Sequence, residues 1–109
     1  MMPMLKREMI PFGKENAVSR DVLAKLTGMS DRRLRYDISR LRREDDETNV
    51  IIVSTSDGRG YYRTDNIDEI EHFVREMRHR ITSIVEAIKV AKLAAKRLRD
   101  KQRYGGGLV

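Results

Sequence analysis

Ile67, Ile70, Val74, Met77, Ile81, Ile84, Ile88, Ala91, Ala95 and Leu98 follow one another in alternating steps of three and four, with no glycine or proline between them. That period marks one face of a helix, and here it is sustained over more than four heptads. Asn66 stands where a cap is needed and Glu69 follows three residues on, the spacing of a capping box with Asn in place of Ser or Thr. A continuous helix of about 35 residues runs about 50 Å. The roughly 65 residues before it would make a domain only about 25 to 30 Å across. Half of the stripe therefore needs a partner from outside that domain. A second copy supplies it most simply, through Ile81, Ile84, Ile88, Ala91, Ala95 and Leu98; a fold-back at Thr82-Ser83 is the alternative. Phe73, Val85, Ala87 and Ala94 widen the apolar face, and Arg78 and Arg80 lack the opposite charges of a parallel zipper, so orientation is left open.

Residues 19–44, SRDVLAKLTGMSDRRLRYDISRLRRE, carry a second pattern. Ser19 can cap a helix over 20–27 in which Val22, Leu23 and Leu26 recur at helical spacing. Gly28 then ends it, because glycine enters the left-handed region without a Cβ to clash. Ser30 caps a second helix, Asp31 suits its positive first turn, and Leu34, Ile38 and Leu41 form the stripe that faces a core. On the other side fall Arg32, Arg35, Tyr36, Ser39 and Arg43. From 30 to 43 stand six arginines, 32, 33, 35, 40, 42 and 43, against Asp31 and Asp37, a surplus of four positive charges. Planar guanidinium forks suit guanine edges and phosphates better than lysine does.

Ala24, Gly28 and Leu34 match the small-residue, turn-glycine and core-apolar pattern of helix-turn-helix proteins, a resemblance that covers about 25 residues. After them, Val50-Ile51-Ile52-Val53 and Gly60-Tyr61-Tyr62-Arg63 flank an Asp57-Gly58 turn signal, which predicts a β-hairpin. GRGYY resembles the wing of the biotin repressor's DNA-binding domain, and IPFGKENAVSR over 10–20 followed by LTGMSDRRLRYDISRLRR over 26–43 resembles small helix-turn-helix proteins of phage and prophage gene clusters. The resemblance implies a winged helix-turn-helix domain over 1–65; the heptad stripe adds a long oligomerisation helix over 66–104 and the glycine run a flexible tail over 105–109, for a mainly α fold with a small hairpin. It also implies that Arg32, Arg35, Tyr36 and Ser39 read major-groove edges, with Arg33, Arg40, Arg42 and Arg43 available to phosphate, Arg59 at the wing tip, and Arg63 behind it.

Composition points the same way. Lys and Arg number 23 against 17 acids, a net charge of +6, which favours a polyanionic partner, nucleic acid before anionic membrane. No apolar run is long enough to span a membrane and no signal peptide opens the sequence, so neither spanning nor secretion is indicated; the phage and prophage resemblance implies the cytoplasm of a bacterial or phage-infected cell as the setting. Cysteine is absent, His72 and His79 lack convergent ligands, and there is neither a catalytic constellation nor a phosphate-cradling glycine motif. The expectation is therefore no enzyme, no cofactor, no metal and no small-molecule ligand, but a homodimer that binds double-stranded DNA in regulation or another DNA transaction. A protein-interaction adaptor and an oligomeric packaging or replication subunit are the alternatives.

Four local expectations complete the sequence. Met4, Leu5, Met9 and Ile10 at roughly helical spacing suggest a short first helix ended by Pro11-Phe12-Gly13, with Phe12 plugging the core. Asn16-Ala17-Val18 sits where winged-helix domains place a small strand. Glu44-Asp45-Asp46-Glu47 repels phosphate and reads as an exposed loop. The basic run over 89–103, seven cations against Asp100, reads as a solvated or DNA-adjacent end of the helix.

Overall fold

The computed structural model describes residues 4–55, 57 and 60–105. The chain is mainly helical: α1 (Arg20–Thr27), α2 (Asp31–Arg42), an antiparallel pair β1 (Ile51–Ser54) and β2 (Tyr61–Thr64), and α3 (Ile67–Asp100), continued by one π turn at Lys101–Gly105. Contacts divide it into two units, Met1–Phe73 and Val74–Val109, so the first turns of α3 belong with the head. Expectations for the tail at 106–109 and for the wing-tip residue Arg59 lie outside the described residues.

Local chemistry sets the helix ends as the sequence predicts. The Ser19 hydroxyl accepts from the Val22 amide at 3.2 Å and the Ser30 hydroxyl from the Arg33 amide at 3.1 Å, each satisfying a donor that the first turn leaves free. Gly28 closes α1 at φ 72°, its amide bonded to the Ala24 carbonyl. The Asn66 side chain accepts from the Glu69 amide at 3.1 Å, while the Glu69 carboxylate reaches the Thr64 hydroxyl at 2.6 Å and that hydroxyl in turn accepts from the Asn66 amide. The capping box thus closes through Thr64 rather than directly.

The core of the first unit gathers Leu5, Ile10, Leu23, Met29, Leu34, Ile38, Leu41, Ile52 and Tyr61, with Val18 and Ala24 packed against it. Leu34, Ile38 and Leu41 are the predicted inner stripe of α2, all buried. β2 has neighbours on both edges. β1 pairs with it from Ile51↔Thr64 to Ser54↔Tyr61, and on the far side Val18 exchanges both backbone hydrogen bonds with Tyr61 (3.0 and 2.7 Å). Phe12 makes a parallel bridge to Arg63. That double coverage explains why β2 buries Tyr61, Tyr62 and Thr64 without the alternation of a half-exposed strand.

The N-terminal segment differs from expectation. In place of the expected helix Arg7–Met9 form a single 3-10 turn, and a second stands at Lys14–Asn16, because neighbouring backbone groups are engaged over long range: the Leu5 amide donates to Asp37 at 2.9 Å and the Pro11 carbonyl accepts from the Arg63 amide at 2.8 Å. Leu5 and Ile10 enter the core while Met4 and Met9 stay outside. Phe12 does not plug the core either, being 46 % exposed; its backbone, not its ring, joins the sheet edge. Leu26 of α1 likewise faces outward at 74 %.

α3 passes through Thr82 and Ser83 as unbroken helix, which removes the fold-back alternative. From 78 to 100 every residue on it is exposed. No helix among the described residues is long and apolar enough to cross a membrane.

Candidate nucleic-acid interface

The arginines of α2 divide into two sets. Arg32, Arg35, Tyr36, Ser39 and Arg43 share an exposed face. Arg35, its side chain 61 % exposed, pairs with Asp31 one turn back at 2.9 Å, and the Arg43 guanidinium donates to the Ser39 hydroxyl at 2.9 Å. Such solvent-facing contacts are weak, so these groups can be redirected to a ligand at little cost. Arg33 lies between the sets, half-buried, 5.5 Å from the Tyr36 ring centroid and 3.3 Å from Asp37. Ser30, Arg32, Arg33 and Tyr36 line a shallow cleft at the start of the helix.

The other set is built into the fold. Arg42 donates to the Ile52 carbonyl at 3.1 Å and the Ser54 hydroxyl at 2.9 Å, and its guanidinium lies 5.5 Å from the Tyr61 ring and 4.9 Å from that of Phe73. One side chain therefore joins α2, both strands and the start of α3. Arg40 reaches the Leu5 carbonyl at 3.3 Å and Glu44 at 3.1 Å. Arg63 on β2 donates to the Ile10 carbonyl at 2.7 Å. Of the residues nominated for phosphate, these three have structural partners already.

Three residues that position the exposed face lie outside the sequence-predicted site. Asp37 is wholly buried on the inner side of α2, where its carboxylate holds Arg33 and, at 3.9 Å, Arg40, and accepts the Leu5 amide. An acid at a core position with arginines at i−4 and i+3 could have been read as a buried pair. Arg20 of α1 bonds Asp31 at 2.9 Å and the Tyr61 hydroxyl at 3.3 Å, tying the first helix to the start of the second and to the hairpin; the Tyr61 contact, with Asp31 adding to it, raises the Arg20 pKa further. Arg7 donates to the Leu41 carbonyl at 2.7 Å and to the Glu44 carbonyl, tying the N-terminal segment to the end of α2 and the residues just after it.

No protein-family model matches the chain, and no curated protein or solved structure matches it.

The rest of the surface frames this face. The acids at 44–47 are exposed, with Glu47 and Asn49 in the left-handed region at φ 65° and 63°. Hydrogen bonds from the Thr48 hydroxyl and amide, aided by Arg7, hold the Asp46 carboxyl below its ordinary pKa. Burial, reinforced by Glu69, pushes the Tyr62 phenol up. Among the described residues no group of three or more His, Cys, Asp or Glu could hold a metal ion.

Proposed function

We propose that the chain is a winged helix-turn-helix protein that binds double-stranded DNA through α2 and pairs with a second copy through α3. The observation that carries the DNA reading is the division of the α2 arginines. Arg40 and Arg42 are engaged by the fold, whereas Arg32, Arg35 and Arg43 stand with Tyr36 and Ser39 on one exposed face of a helix whose other side is buried in the core. On that face Arg32 and Arg35 suit guanine edges, and Tyr36, Ser39 and Arg43 can bond bases or backbone. The net charge of +6 supplies the sequence-independent attraction.

The test compares the two sets. Replacing Arg32 and Arg35 together by Ala should weaken binding to a preferred duplex by about 3 kcal/mol, roughly 100-fold, with the melting temperature unchanged. Arg42→Ala should instead lower the melting temperature. Wild-type duplex affinity in the double variant would contradict the proposal and favour a protein-docking role for this face.

A further inference from the structure

α3 is polar in its charge along its length. Between 68 and 76 stand four acids and one arginine, whereas 89–103 holds seven cations and one acid. Its apolar stripe is uncovered: Ile81, Ile84, Ile88 and Leu98 are about half exposed or more. We infer that this face is covered by the same face of a second copy running antiparallel, an orientation that rests on the pairing proposed above and goes beyond it.

Two arguments fix the direction. Side by side, parallel helices would lay one run of seven cations against another, while in an antiparallel pair centred near Glu86 the run over 89–103 lies beside 69–83, where Glu69, Glu71 and Glu76 balance Arg75, Arg78 and Arg80. Packing agrees with charge. In an antiparallel pair centred near Glu86, Val74 meets Leu98, Met77 meets Ala95, Ile81 meets Ala91 and Ile84 meets Ile88, so each of the two alanines sits opposite a large residue. Parallel pairing would stack Ala91 and Ala95 on their own copies and leave that end thin. At the flanks Glu71 comes beside Arg99. Near the two-fold axis Val85 faces Val85 and Ala87 faces Ala87, which accounts for the widening of the apolar face at mid-helix. Arg78 beside Lys92 is an unfavourable contact, but both side chains extend to water, where screening is strong.

The absence of cysteine allows one spin label per chain. Labels at Lys89→Cys and, separately, Lys96→Cys lie on one side of the helix. Antiparallel pairing offsets the two copies along the axis by about 10 Å at position 89 and about 30 Å at 96, at about 1.5 Å per residue. Electron–electron dipolar measurements should therefore give a clearly longer distance at 96 than at 89. Equal distances at both positions would overturn the antiparallel direction while leaving the pair intact. No dipolar coupling at either would remove the pair itself and, with it, that half of the proposed function.

Discussion

The head and the long helix use the same kind of sequence pattern to opposite ends. In α2 the stripe of Leu34, Ile38 and Leu41 disappears into a core, while in α3 the equally regular stripe of Ile81, Ile84 and Ile88 stays exposed. The difference is in what the chain brings alongside. α2 meets α1, the hairpin and the N-terminal segment, whereas every residue of α3 from 78 to 100 is exposed. Periodicity specifies which face must be buried; it does not say by what.

Perturbing each region separately sharpens that contrast. The largest effect belongs to Asp37→Ala, which strips the partner from two arginines and a buried amide and should cost the head about 3 kcal/mol in urea unfolding. Ile84→Ala should leave head unfolding untouched yet weaken self-association by about 2 kcal/mol, roughly 30-fold, because each pair loses two contacts; sedimentation equilibrium measures it. A fall in head stability of the same size would mean that α3 and the head are one energetic unit. Ser30→Ala removes the cap of α2 and should cost about 1 kcal/mol in the same unfolding experiment. Smallest is Thr48→Val, which should let the Asp46 titration, followed by NMR, rise toward an ordinary carboxyl value. Because that pKa is depressed in the fold, its small stabilising contribution is present above the unfolded-state pKa and lost as pH falls.

What was legible in the sequence was local. Both serine caps, the left-handed Gly28, the inner stripe of α2, the hairpin to within one residue and the start of α3 all depend on neighbours within a few positions. The N-terminal segment was not legible, since its backbone bonds go to Asp37 and Arg63, dozens of residues away. For the same reason the arginines of α2 could be counted but not sorted: nothing near Arg42 in sequence announces Ile52, Ser54 and Tyr61 as its partners. Sorting them needed the fold, and it reduced a row of six cations to a face.

Selection of bound duplexes from a random-sequence pool at two salt concentrations tests most directly whether that face reads DNA. The account predicts salt-sensitive binding with enrichment of a site made of two related halves, lost when Arg32 and Arg35 are replaced. Failure to retain any duplex, even at low salt, would contradict it.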